Sequence, residues 1–497
     1  MRPVRLTAIA LIGAAACVPG VPRVDGGPAA PPAPARPWRP PPLARVSDSL
    51  GSTPAAPAVP AVKPGPRPEA LGLADVVALA LRNNPATRAS WAQARAAADA
   101  YGVARASYLP TVSGVVTGSR SEQPAAATSN SSSSTAAAGA RTSYVPSLSL
   151  SYLLFDVGGR SGTVDNARET AFALAFTHNQ VLQTTVLQVE QAYFGYAGAR
   201  ALRDAQRESV REARASYDAA RMRDSVGLAT IADVLQARTA LALAQLQLQT
   251  SEAQLEAARG ALALALGVPP TAPYDISARP EDVPVGSVSA GVEELIESAL
   301  RDRPDLQAAR ATAAAARAAA RAARAAELPS LSLSAGEGYT RSSPHPLTGR
   351  SYSVALSLQV PLFDGGARRY GAARERALAD AAAAQAAAQQ QTVITDVFTS
   401  YANLQTATQQ VRTSDDLLAS AGASMQAAQA RYTGGVGSIL DLLTAQAALA
   451  TARAAQAQSR WVWAQTLAQL GHAAGALDIR GRAAVPVTPD TARRVIP

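Results

Sequence analysis

Between residues 351 and 363 apolar side chains fall on every second position. Tyr352, Val354, Leu356, Leu358, Val360 and Leu362 alternate with Ser351, Ser353, Ala355, Ser357, Gln359 and Pro361. Such alternation predicts a β-strand with one apolar and one polar face. The same code runs through 147–154, where serines alternate with Leu148, Leu150, Tyr152 and Leu154. Each of these runs is preceded by another that follows a Leu-Pro pair, so strands are predicted at about 108–119, 143–155, 328–340 and 351–363. Each hairpin leaves through Phe-Asp-x-Gly, at Phe155–Gly158 and Phe363–Gly366, into a stretch with almost no Pro and hardly any Gly. Those stretches predict helices from about 160 to 224 and from about 367 to 432. A Gly-containing turn (225–230 or 433–438) then returns the chain into a final helix of about thirty-five residues. Ahead of each strand pair lie a short helix (73–84 or 292–303) and a longer one ending at Leu109-Pro110 or Leu328-Pro329.

The chain is thus written twice. Pro85 and Leu109-Pro110 recur 219 positions later as Pro304 and Leu328-Pro329. Leu154-Phe155-Asp156, Tyr193, Asp233 and Gly267 recur 208 positions later as Leu362-Phe363-Asp364, Tyr401, Asp441 and Gly475. The offset falls where the first copy carries an extra Ser/Ala-rich loop at 121–141. The repeats are assigned to 71–288 and 289–475, with a loose C-terminal tail at 476–497. At ~1.5 Å per residue the long helices would each reach roughly 100 Å, which suits a coiled coil or helical tube rather than a globule.

The second strand face is small and hydroxylic and lacks the charges of a solvated sheet. One apolar and one small polar face is the code of a membrane β-barrel, lipid outside and water inside. Thirteen residues at ~3.3 Å, tilted, span roughly 30 Å of hydrocarbon. Tyr108, Tyr144, Phe155, Tyr339, Tyr352 and Phe363 fall near strand ends, where aromatic girdles belong. Four strands cannot close a barrel, and an open edge cannot face lipid. The chain must pool strands with copies of itself, eight from two copies or twelve from three.

Composition narrows the reading further. The chain has 497 residues and a net charge of +9, but its arginines are scattered among acids. Even the heptad-spaced Arg310, Arg317 and Arg324 read as a solvated helix face, so nucleic acid is not expected as a partner. Arg2 and Arg5 precede the apolar run 6–16, which gives a signal peptide at 1–16. The single cysteine, Cys17, follows Ala14-Ala15-Ala16 in a lipobox-like setting and is the candidate lipidation site; it also excludes a disulfide within one chain. Residues 17–70, rich in Pro and Ala, predict a disordered tether. No later apolar run reaches about twenty residues, so no transmembrane helix is expected. His178, His345 and His472 lack acidic or cysteine neighbours at ligand spacing, and no phosphate-loop lysine follows the Gly pairs. Neither an enzyme, a metal nor a cofactor is expected.

With its doubled strand–LFDxG–helix unit and the signals around 431–445 (Arg431-Tyr432, Gly435, Asp441-Leu442-Leu443, Ala445), the chain resembles the TolC-like family of outer membrane efflux proteins over about residues 71–475. The resemblance implies a mixed α/β membrane protein. Three chains would share a twelve-stranded transmembrane β-barrel continuous with a long periplasmic α-helical barrel of twelve helices. It implies a homotrimeric, passive exit channel in outer membrane lipid. The channel would serve a periplasmic adaptor (membrane fusion protein) and an inner membrane pump of RND or ABC type, and carry small molecules. The rival within the family is the exit duct of type I protein secretion; the rival outside it is a periplasmic coiled-coil protein without a pore.

Two groups of residues become candidate sites. At the strand–helix joints Gly365 and Gly366 allow backbone angles closed to other residues, and Asp364 can cap the incoming helix; Asp156, Gly158 and Gly159 stand in the first copy. At the helical tips the family implies adaptor docking at Val226, Gly227, Gly434, Gly435 and Val436. It likewise implies a periplasmic gate at Asp233, Asp441, Thr444, Arg431 and Tyr432. Plain helix capping is the alternative for the two aspartates. Thr444 stands where family members often carry a second acid.

Overall fold

The computed structural model describes residues 23–24, 27–28, 30–39, 70–123, 139–271, 275–276, 286–288, 290–343, 348–476 and 487–489. Cys17, the signal peptide and His345 lie outside them. In chain order α1 (Leu73–Asn83) and α2 (Pro85–Ala106) lead to β1 (Thr111–Gln123) and β2 (Gly139–Phe155), then to α3 (Gly159–Ser225) and α4 (Ile231–Leu266). The same order follows with α5 (Val292–Asp302), α6 (Pro304–Ala325), β3 (Ser330–Ser343), β4 (Thr348–Gln359), α7 (Ala367–Thr433) and α8 (Ile439–Ala473). Helices α3 and α7 each contain 67 residues. No helix among the described residues is long and apolar enough to cross a membrane. The chain divides into two compact units, one built on residues 95–172 and 310–385, the other on 25–94, 173–309 and 386–497.

The first unit holds one antiparallel sheet of order β1-β2-β3-β4, so the two hairpins join through β2 and β3. Its register places Val112 opposite Leu150, Leu150 opposite Ala335, and Leu333 between Tyr152 and Leu356, all on one face. Val354, Leu356 and Leu358 on β4 are exposed. On the other face Ser113 meets Ser149 at 2.7 Å and Ser119 meets Ser143 at 2.8 Å, so the hydroxyls satisfy one another. An ion pair between Glu337 and Arg350 lies on the apolar face where the leucines and valines give way to Tyr339 and Tyr352. Among the described residues, strands β1 and β4 each have no neighbour on one side. Below the sheet α3 and α6 pack closely: a Cβ on Gly162 would lie 2.7 Å from the Ala322 backbone nitrogen. Asn166 donates to the Ala315 carbonyl at 2.8 Å, and Arg321 pairs with Asp165 at 3.0 Å.

The strands differ from the alternation at their ends. β1 and β3 begin only after Pro110 and Pro329, and β4 stops at Gln359, short of Pro361. Proline has no N–H to give to a ladder. At the opposite ends backbone pairing continues into polar positions that alternation does not mark, out to Gln123–Gly139 and Arg341–Thr348.

The second unit has two cores of related composition. Val76, Val77, Leu81, Leu182, Val186, Val189, Leu262, Leu266 and Trp461 form one. Leu295, Leu306, Val393, Val397, Leu404, Trp463 and Leu470 form the other. Toward the turns the buried positions of α4, Val234, Ala237, Leu241 and Ala244, alternate three and four apart. So do Leu442, Ala445, Leu449 and Ala452 of α8. This is the seam of a coiled coil, made narrow by alanine. The second core also borders a charge network: Arg303 is bidentate to Asp305 (3.0 and 2.6 Å) and reaches the more exposed Asp396 at 3.0 Å. Burial disfavours the charge of Asp305, but Arg303 more than offsets this and holds the carboxyl below its ordinary value.

Two terminal expectations are corrected. The tether reading fails at residues 30–39, where Ala30 and Trp38 are buried against α2 and α3. Side-chain donors on those helices satisfy carbonyls that a free Pro-rich segment would leave to water. The tail is not loose throughout, because Val487–Pro489 pairs antiparallel with Gly286–Val288. Residues Ala70–Leu71 likewise pair, in parallel, with Asp275–Ile276.

Candidate functional site

Each long helix ends in a turn that its glycine makes possible. Gly227 has φ +77°, and the N–H of Leu228 reaches back to the Arg223 carbonyl at 2.8 Å. Gly435 has φ +76° with Val436 N–H on the Arg431 carbonyl at 3.0 Å. This is the left-handed helix stop that glycine adopts without cost. Gly434 is not left-handed. Gly437, which the sequence reading passes over, sits against Arg431, where an added Cβ would lie 3.0 Å from the Arg431 Cβ. Val226 and Val436, 65% and 76% exposed, project apolar surface from the two turns beside Leu228, Ile231 and Leu440.

The two tip aspartates do different work. Thr230 caps α4, and the Asp233 carboxylate accepts from both the Thr230 N–H (2.8 Å) and its hydroxyl (2.9 Å). That reciprocal arrangement is a capping box, legible in Thr-x-x-Asp. At the second tip Ser438 accepts from the Asp441 N–H at 3.1 Å, yet the Asp441 carboxylate turns to Arg431 at 4.0 Å, both side chains exposed. Thr444 donates back to the Leu440 carbonyl at 2.8 Å. Tyr432 lies buried within its own chain in a cluster with Ala220, Val234, Ala237, Ile439 and Leu442. Arg223, which the sequence reading missed, stacks on the Tyr432 ring and donates to its carbonyl at 2.9 Å. Farther along the same seam Gln446 donates to Ser216, and Arg453 Nη1 donates to both carboxylate oxygens of Glu212 at 2.9 Å. Arg223 stands 208 positions before Arg431, and that equivalence is the signal that could have marked it.

At the joints each aspartate accepts from backbone N–H groups at the start of the following helix. Asp364 accepts from Gly366 N–H at 3.0 Å and Arg368 N–H at 3.2 Å. Asp156 accepts from Arg160 N–H, and Arg160 also binds the carbonyls of Ser107 and Leu154. The backbone strain differs. Gly365 and Gly366 carry φ +68° and +87°, but in the first copy the left-handed pair is Val157 (+50°) and Gly158 (+92°). Gly159 instead begins α3, where its missing Cβ leaves room for the Asp156 carboxylate.

Among buried titratable groups outside both sites, burial pushes the Glu190 carboxyl up to about 7 and draws His178 below its ordinary value. No cluster of metal-ligating side chains occurs among the described residues.

Residues 76–268 and again 295–476 match the sequence model of a family described as outer membrane efflux protein. The chain is 33% identical over 395 residues to protein CyaE of Bordetella pertussis, covering 78% of this chain and 81% of that one. It is 30% identical over 388 residues to the outer membrane protein OprJ of Pseudomonas aeruginosa, covering 75% and 78%. A probable efflux pump outer membrane protein of Pseudomonas putida, TtgC, is 27% identical over 77% and 78%. Among solved structures, a membrane protein of Pseudomonas aeruginosa superposes with a TM-score of 0.71 at 27% identity, covering 81% of this chain and 93% of that one. The open state of the Neisseria gonorrhoeae MtrE outer membrane channel superposes with 0.71 at 22% identity, covering 81% and 88%.

Proposed function

From the membership of this chain in the outer membrane efflux protein family, an outer membrane channel component of efflux, we propose the assembly and the roles of its parts. Three copies close their sheets into one twelve-stranded barrel, and their long helices form the periplasmic tube. The observation that carries this is the four-stranded sheet with both outer edges open and its apolar face exposed. In a membrane such edges must be paired, and an outward apolar band bounded by tyrosines suits lipid. The hydroxyl-lined face would then line a water-filled duct.

The duct works passively, with a periplasmic adaptor and an inner membrane pump supplying selection and energy; small molecules are its cargo. Apolar Val226 and Val436 at the turns, beside Gly227, Gly434 and Gly435, are the adaptor contacts. The exposed Asp441 carboxylate, with Arg431 and Thr444 near it, belongs to the periplasmic gate. Tyr432 serves that gate from inside its own chain. Cys17 carries a lipid after removal of residues 1–16.

Complementation tests the reading. In a strain lacking its own exit channel but retaining adaptor and pump, the chain should restore drug resistance. Val226→Asp with Val436→Asp should abolish it while the trimer persists on mild gels. Full resistance in that double variant would contradict docking at the turns.

A further inference from the structure

We propose that the groove between α2 and α3 is a binding site for a proline-rich peptide, occupied by residues 30–39 of the chain itself as a clip that fastens the N-terminal segment to the helices. The segment reads Ala30-Pro31-Pro32-Ala33-Pro34-Ala35-Arg36-Pro37-Trp38-Arg39. A chain so rich in proline offers carbonyls with few internal N–H partners, which makes it a ready acceptor for donors on another surface. The groove supplies those donors. Trp91 of α2 donates its indole N–H to the Pro31 carbonyl at 3.0 Å. Asn179 of α3 reads one residue twice, accepting the Trp38 N–H and donating to the Trp38 carbonyl, both at 2.6 Å. His178 lies 3.2 Å from the Arg36 carbonyl. Because a carbonyl can only accept, Nε2 carries the hydrogen, and Nδ1 accepts from the Ser90 hydroxyl at 2.8 Å. The Trp38 indole is 2% exposed and meets Phe176 edge-on at 5.2 Å.

The repeat provides the control. Position by position, Ser90, Trp91, Phe176, His178 and Asn179 correspond to Ala309, Arg310, Ala384, Ala386 and Ala387 in the second copy. The helices α6 and α7 are built like α2 and α3, yet nearly every recognition side chain is replaced by alanine. Helix packing therefore does not require these residues. They occur in the copy against which residues 30–39 pack. Aromatic surface, an indole N–H on a proline carbonyl and an amide read on both sides are the chemistry of extended-peptide recognition. The site shares no residue with the tips or the joints, and it stands whether or not Cys17 is lipidated.

The test uses a fluorescent synthetic peptide of residues 29–40 and the full chain with those residues deleted, purified in detergent. Anisotropy should show saturable binding of one peptide per chain. Asn179→Ala should abolish it, and a peptide carrying Trp38→Ala should bind at least about tenfold more weakly, a change of roughly 1.4 kcal/mol. In the intact protein, hydrogen exchange should find the Trp38 amide protected, and Asn179→Ala should return it to the rate of the free peptide. The exchange measurement decides the matter if the deletion variant does not assemble. Exchange of Trp38 at the free-peptide rate in the unaltered protein would overturn the proposal. So would a well-assembled deletion variant that takes up no peptide at millimolar concentration.

Discussion

The guanidinium of Arg223 lies 4.6 Å over the ring of Tyr432 and donates to the Tyr432 carbonyl at 2.9 Å, joining the ends of the two long helices of one chain. A charged donor on a carbonyl contributes about 1.5–3 kcal/mol and a cation over an aromatic face about 0.5–2. Arg223→Ala should therefore loosen the tip by about 2 kcal/mol. Hydrogen exchange at 219–225 and 430–437 reads the effect directly. Arg431, whose exposed contact with Asp441 spans 4.0 Å, should cost no more than about 1 kcal/mol when changed to Ala. Equal effects from the two variants would count against the intrachain tie.

Asp233 and Asp441 are equivalent in the repeat but not in chemistry. Asp233→Ala removes a capping-box acceptor and should cost about 1 kcal/mol in thermal unfolding. Asp441→Ala should leave stability nearly unchanged; because exposed Asp441 carboxylates from several copies around one gate would attract multivalent cations, trivalent cations should block the current and the variant should weaken that block. If block persists in Asp441→Ala, its carboxylate does not face the pore.

The joints make a paired prediction. A β-branched residue held at positive φ is strained by about 1–2 kcal/mol, part of which glycine recovers against its own entropy cost. Val157→Gly should raise stability by about 0.5–1 kcal/mol, and Gly365→Val should lower it by about 1–2. Calorimetry of both variants checks the assignment, and destabilisation by Val157→Gly would refute it.

Glu190 sets a pH dependence. Its folded carboxyl, pushed up to about 7 by burial, binds its proton more tightly than it does in the unfolded chain. Stability contributed by the protonated form is thus complete at acid pH and is lost as pH rises toward 7, to a total of about 3 kcal/mol. Glu190→Gln should raise the melting temperature at pH 8 while leaving it little changed at pH 4. An equal rise at both values would show that the carboxyl does not titrate in this range.

Much of this architecture was legible because alanine-rich helices and alternating strands have incompatible periods, so their boundaries show. Proline placed the starts of α2 and α6 at Pro85 and Pro304. What was not legible depended on distance in sequence. Arg223 meets Tyr432 across 209 positions, and nothing local in either residue reveals the contact. Trp38 stood inside a segment whose composition predicts no core, and its partner Asn179 lies 141 positions away. Val157 was missed for another reason: the adjacent Gly158-Gly159 pair suggested that glycine would absorb the turn, whereas the left-handed pair begins one residue earlier.

The most direct test of the central claim, that copies of this chain close into a membrane duct, is the current carried by the purified protein in planar lipid bilayers. The account predicts discrete, uniform conductance steps from trimers resistant to mild detergent, with larger resting steps for Arg223→Ala. Folded protein that inserts into the bilayer without conductance, or that remains monomeric once bound detergent is subtracted, would contradict it.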